Sequence, residues 1–165
     1  MRGPDWVEIE HFFSGSALNA VDAKGRLSVP AGVRSVIERR SEAKVVVLRM
    51  HEVDPCLVAY DRNYGRFLHR ENERLRLAEE ATDPRARYSR DRRTFGIVEE
   101  VPYDPSGRII LPRMMRSKGA IEDLALFVGT GATVEIWNPR LALQSGDEGL
   151  RELAAFHLDE KGLKL

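Results

Sequence analysis

Short apolar runs separated by polar turns dominate the chain, and they come in two series. In the first, Phe12-Phe13 opens a strand that continues through residues 17–21. A polar turn at 22–25 then leads into Leu27-Ser28-Val29, which alternates as a half-buried strand does. Pro30 suits the first turn of a helix, and Val33, Val36 and Ile37 give that helix one apolar side. Residues 45–48 and 56–60 are two apolar strands around Asp54-Pro55. Asp61 caps a helix that runs to about Glu80, with Tyr64, Phe67, Leu68, Leu75 and Ala78 on one side. The second series repeats the order. Strands are predicted at 95–101, 109–111, 124–128 and 133–137, with Pro112 opening a short helix and Asn138-Pro139 capping a last one. Ile109-Ile110-Leu111 is apolar throughout and predicts burial on both faces. Beyond Gly146 the pattern is mixed and specifies no element.

The recurrence is literal at the turns. Aligned without a gap at an offset of eighty-two, the series share Asp22/Asp104, Gly25/Gly107, Arg26/Arg108, Pro30/Pro112, Arg34/Arg116 and Ser35/Ser117, and Phe13 falls on Phe95. One unit has been duplicated. Asp, two variable residues and Gly specify a tight turn: the carboxylate accepts a backbone N–H two residues on, and Gly supplies positive φ. Apolar residues on both sides make each turn a β-hairpin tip. Arg26 and Arg108 leave the turns at the first strand position, where a long cation can project.

Charge and length refine this picture. With Lys+Arg and Asp+Glu both at 26, net charge carries no nucleic-acid signal. The distribution does: Lys24, Arg26, Arg34, Arg39 and Arg40 face only Asp22 and Glu38, and Arg108, Arg113, Arg116 and Lys118 face only Asp104. A basic face is one reading, and scattered solvated charge is the other. Between the series, Asp83-Pro84 opens a helix bearing Arg85, Arg87, Arg90, Arg92 and Arg93 against Asp91. This segment reads as a solvated connector in preference to a second phosphate-contacting surface. Each repeat has a marginal size for a core of its own, so the two halves share one or lean on other subunits. A homo-oligomer is expected.

Catalytic and metal chemistry find little footing. The lone Cys56 sits in an apolar run and reads as a buried, inert thiol. His11, His51, His69 and His157 have no metal-ligand spacing, and Gly129-Thr130-Gly131 lacks the rest of a phosphate loop. His51 beside Glu52 reads as a loop ion pair before it reads as a general base. No enzyme activity, cofactor, metal or small-molecule substrate is expected. No run approaches the roughly 18 apolar residues of a membrane span, and the N-terminus lacks a signal peptide's apolar core.

Paired Asp-x-x-Gly-Arg turns about eighty residues apart, each with Pro four residues on, and Glu135-Ile136-Trp137 closing the second half, closely resemble the MraZ family. The resemblance covers about residues 12–145. It implies an α+β fold of two SpoVT-AbrB-like units of the swapped-hairpin superfamily, forming a double-split, barrel-like β core with peripheral helices. The implied divisions are an N-terminal extension 1–11, units 12–81 and 95–145, a basic connecting helix 82–94 and a tail 146–165. It further implies a repressor that assembles into rings and binds short direct repeats in double-stranded promoter DNA upstream of the division and cell-wall gene cluster. The expected location is cytoplasmic, on the nucleoid. DNA contact falls on Lys24, Arg26 and Arg108. Asp22, Gly25, Asp104 and Gly107 hold turn geometry, and Arg34, Arg113 and Arg116 are secondary contacts. Ser106 stands where the first turn has Lys24, so the two turns are not equivalent. The competing readings are an AbrB-like antitoxin and a structural ring whose basic turns meet acidic proteins. For each Arg alone, an ion pair with its own turn Asp is the alternative role.

Overall fold

The computed structural model describes residues 11–79 and 83–163, so the extension before residue 11 and the expected helix end at Glu80 lie outside the described residues. The first series folds as β1 (Ser16–Ala20), β2 (Arg26–Ser28), α1 (Ala31–Arg40), β3 (Val45–Met50) and β4 (Leu57–Tyr60). Then come α2 (Arg62–Glu79), α3 (Pro84–Asp91) and a π-helical segment, Arg92–Gly96. The second series gives β5 (Val98–Pro102), β6 (Arg108–Ile110), α4 (Arg113–Lys118), β7 (Leu124–Gly129) and β8 (Val134–Trp137). Two helices, α5 (Pro139–Ala142) and α6 (Glu148–Glu160), complete it.

The halves interleave instead of sitting side by side. A six-stranded antiparallel sheet has the order β1-β7-β8-β4-β3-β5, so each half lends a strand to the far side of the other. β2 and β6 leave this sheet and pair with each other as a two-stranded ribbon. The sheet ends on β1 and β5 and is open, which corrects the barrel-like core expected from the sequence. The physical reason lies in the turns. Each edge strand runs on through its Asp-x-x-Gly turn into the ribbon, whose inward residues cover one sheet face instead of extending the sheet.

Three layers follow from the strand alternation. Leu57 and Ala59 of β4 join a core with Leu27 and Ile109 of the ribbon, Ile37 of α1 and Met115 of α4. Val58 and Tyr60 point the other way, against Tyr64 and Leu68 of α2. At the far end of that second face, Leu126 and Trp137 pack on Ala154 and Leu158 of α6. The residues past Gly146, which carry no clear pattern, thus form a helix: Asp147 caps it by accepting the Leu150 N–H (2.8 Å), and its apolar side meets the sheet. Cys56 is buried beside this helix, and burial, reinforced by Glu135 and Asp54, pushes its thiol far above the ordinary range. It is buried, as expected.

Several boundaries shift. Phe13 does not begin a strand but forms an isolated bridge with Gly131, and it is buried. Phe95, its partner in the alignment, lies in the π-helical segment and is exposed; the strand starts at Val98 instead. A buried anchor explains the difference: Thr94 donates to the Arg90 carbonyl (2.9 Å) and accepts from Asn72 of α2 (3.1 Å), which keeps the chain helical to Gly96. Ile110 is 63% exposed, against the expectation of burial on both faces. It stands opposite Arg26 on the ribbon's outward side. No helix among the described residues is long and apolar enough to cross a membrane.

Candidate nucleic-acid interface

Each turn is built around its aspartate. Asp22 Oδ1 accepts the N–H groups of Lys24 (3.0 Å) and Arg26 (2.8 Å), and its carbonyl accepts the Gly25 N–H (2.9 Å). Asp104 repeats this with Arg108 N (2.9 Å) and Gly107 N (2.8 Å). Gly25 and Gly107 lie at φ +84° and +82°, as the spacing predicts. The remaining carboxylate oxygens take the arginines: Arg26 Nε donates to Asp22 Oδ2 (2.7 Å) and Arg108 Nε to Asp104 Oδ2 (3.1 Å). The backbone N–H of the following arginine, aided by its guanidinium, holds each carboxyl below its ordinary pKa. Both ion pairs are solvent-exposed, about half for each arginine. Such pairs stabilise little, but they orient the side chain. The carboxylate grips Arg26 by Nε and leaves its terminal nitrogens without a partner among the described residues.

The two turns meet in one object. The ribbon register is Arg26 with Ile110, Leu27 with Ile109 and Ser28 with Arg108. Leu27 and Ile109 face the core, so Arg26, Ser28, Arg108 and Ile110 share the outward face. Arg26 and Arg108 are diagonal neighbours across the pair, a separation of roughly 7–8 Å. Lys24 is exposed at the tip of the first turn, where Ser106 stands in the second. Residues eighty-two positions apart thereby form a single cationic face.

Each half also braces the other's turn. The Gly25 carbonyl accepts the Leu111 N–H (2.7 Å) and the Gly107 carbonyl accepts the Val29 N–H (2.8 Å). Arg34 of α1 donates to the Val29 carbonyl (3.1 Å) and lies against Gly107, where a Cβ would run into its guanidinium. Arg116 of α4 donates to the Ile121, Glu122 and Ala23 carbonyls, close to Gly25. Both guanidinium groups thus bind carbonyls of the protein itself. Arg113 is exposed at the start of α4. Gly25→Val is therefore expected to destabilise: positive φ costs a β-carbon-bearing residue roughly 1 kcal/mol or more, and the new Cβ sits 3.1 Å from the Leu111 carbonyl oxygen. Thermal denaturation checks this, with Arg26→Ala as the control whose midpoint stays put.

Two features escape a reading of the sequence. Arg40, counted there with the basic face, is buried: it pairs with Asp61 (3.2 Å), donates to the carbonyls of His11, Gly131 and Ala132, and covers the Phe13 ring at 4.6 Å. His51 meets Asp54 and Glu135, not Glu52, which faces Arg49 (3.6 Å). Its Nδ1 accepts the Val53 and Asp54 N–H groups, which places the ring proton on Nε2, 3.4 Å from Glu135. The other Glu135 oxygen accepts from Trp137 (2.9 Å). This cluster ties the β3–β4 turn to β8, and Glu135 lies too far along the chain for any spacing rule to find it.

No family model matches the chain. Direct comparison with known proteins is decisive. It is 34% identical over 134 residues to a transcriptional regulator MraZ of Rhodospirillum rubrum, spanning 77% of this chain and 79% of that protein. A second, from Gluconacetobacter diazotrophicus, is 33% identical over 132 residues, covering 79% and 80%. The chain belongs to the MraZ family of transcriptional regulators. A third MraZ protein, from Rickettsia bellii, is 31% identical with 78% and 82% covered.

Proposed function

We propose that the chain is a sequence-specific DNA-binding transcriptional repressor that lays the β2–β6 ribbon into the major groove of promoter DNA. The observation that carries this reading is the placement of Arg26 and Arg108 on one outward face of a two-stranded ribbon. The major groove admits such a ribbon, and arginine pairs there bidentately with guanine O6 and N7. Ile110, on the same face, suits a thymine methyl. Lys24 at the first tip meets phosphate as a mobile point charge, and Arg113 adds to the phosphate contacts. Asp22, Asp104, Gly25 and Gly107 keep the turns in register, and Arg34 and Arg116 hold them from behind.

In this reading the interleaved units are of the swapped-hairpin, SpoVT-AbrB type, and subunits assemble into a homo-oligomeric ring. Its copies of the ribbon engage short direct repeats upstream of the division and cell-wall gene cluster, on the nucleoid in the cytoplasm. Repetition multiplies a small interface per subunit into useful affinity. The test is footprinting on the DNA upstream of the chain's own gene, then titration of the protected duplex and a scrambled one at several salt concentrations. Lys24→Ala is expected to weaken both duplexes alike and to flatten the log–log salt slope by about 0.9 for each phosphate left unneutralised. Equal binding of both duplexes by the unmodified protein overturns the reading.

A further inference from the structure

A groove opens between α2 and the π-helical segment, away from the ribbon. Phe95, Val98 and Tyr60 supply its apolar lining, and Arg66, His69 and Arg70 stand along it. Phe95 is 41% exposed, and the His69 ring meets it edge-on at 5.7 Å. Arg62, Arg66 and Arg70 follow one another at four-residue intervals, so they form one row along the exposed side of α2. Arg62 is held by Glu100 (2.8 Å), but neither Arg66 nor Arg70 has an ion-pair partner among the described residues. The groove thus offers apolar surface flanked by uncompensated cations.

The complement is on the same chain. The outward side of α6 carries Glu148, Glu152, Phe156 and Glu160 in one four-residue row, with Asp159 beside it. Phe156 is 59% exposed, an aromatic anchor set among carboxylates. Among the described residues these carboxylates have no ion pair, and the nearby cation Arg151 is turned to the Ser145 carbonyl (2.6 Å). The two surfaces cannot meet within one molecule. α6 packs on β1 and α2 on β3, and three strands lie between, a distance of roughly 20 Å at about 4.8 Å per strand.

We propose that these surfaces meet between copies: α6 of one subunit docks into the α2 groove of the next, with Phe156 in the apolar lining and Glu152 and its neighbours against Arg66 and Arg70. Donor and acceptor surfaces differ, so the contact is head-to-tail, the kind that closes a ring or grows a filament. An aromatic anchor supplies the affinity and the flanking charges the register. The inference rests on the reading that the chain self-associates, and it names the surfaces that do so.

Light scattering behind size-exclusion chromatography tests it. The unmodified chain is expected to run above its monomer mass of 18.7 kDa. Phe156→Ser and the double variant Arg66→Glu/Arg70→Glu change exposed positions, keep the circular-dichroism spectrum of the parent, and fall to the monomer. Mixed, they should recover a one-to-one heterodimer and nothing larger, because one retains an intact groove and the other an intact α6. A monomeric unmodified chain overturns self-association itself. An assembly that keeps its mass in either variant, or variants that do not pair on mixing, overturns the surfaces and leaves self-association standing.

Discussion

Arg26→Ala and Arg108→Ala should each pull the affinity for the protected duplex toward that for a scrambled one, while the folded state stays intact. A bidentate arginine–guanine pair discriminates by roughly 1–3 kcal/mol, about a five- to 150-fold loss, and the loss falls on the specific duplex alone. The geometry makes the effect separable from stability. Both side chains are about half exposed and, among the described residues, paired only with their own turn aspartates, so their removal uncovers no core. The first turn keeps Lys24 beside Arg26, whereas the second has Ser106, so Arg108→Ala should leave nonspecific binding and its salt slope nearly untouched. Competitive titration with both duplexes reads this out. If Arg108→Ala binds both duplexes as the unmodified chain does while Arg26→Ala does not, the second turn is not a base contact and the duplication has kept function in one half.

The largest loss of stability is expected at Arg40, which is no part of the proposed interface. Its side chain is 4% exposed and Asp61, its partner, 1%. Removing one member of a buried pair strands the other charge and costs about 3–5 kcal/mol. Arg40→Met also abandons the His11, Gly131 and Ala132 carbonyls, which join the end of α1 to the turn before β8. At roughly 2–4 °C per kcal/mol for a chain of this size, the thermal midpoint should fall by on the order of 10 °C. Adding Asp61→Leu should recover part of the loss by removing the stranded carboxylate, though Asp61 also accepts the Tyr64 N–H at the start of α2. A midpoint that moves by less than about 2 °C would show that the pair contributes nothing net.

Local chemistry was legible in the sequence wherever one short segment determines the outcome. The Asp-x-x-Gly turns and the proline-led helices appear where capping places them, because backbone hydrogen bonds and positive φ are settled within a few residues. The hairpins expected at the turns form no ladder of their own, since β1 pairs with β7, β2 with β6 and β5 with β3. What depends on the partner across the sheet was not legible. Ile110 looks like core until β6 is known to pair with β2 and to turn it outward. Arg40 looks like surface because a buried charge and a solvated one have the same letter, and only Asp61 and the Gly131 turn distinguish them. Arg34 and Arg116 read in the sequence only as cations of the basic face. Their guanidinium groups also donate to carbonyls of the turns and loops, a use that sequence spacing does not encode.

The interleaving of the halves also sets a schedule for synthesis. Among the described residues β1 finds its only strand partner in β7, with Ser16 opposite Val128, and β2 waits for β6. While a ribosome adds the intervening stretch, at roughly 5–20 residues per second, the first turn and its strands stay unpaired for on the order of ten seconds. Leu18 and Leu27, both interior in the finished molecule, must spend that interval without their final cover. Pairings so distant in sequence also make folding intrinsically slow. A chain of this design therefore acquires its shape only after its last strands have been made.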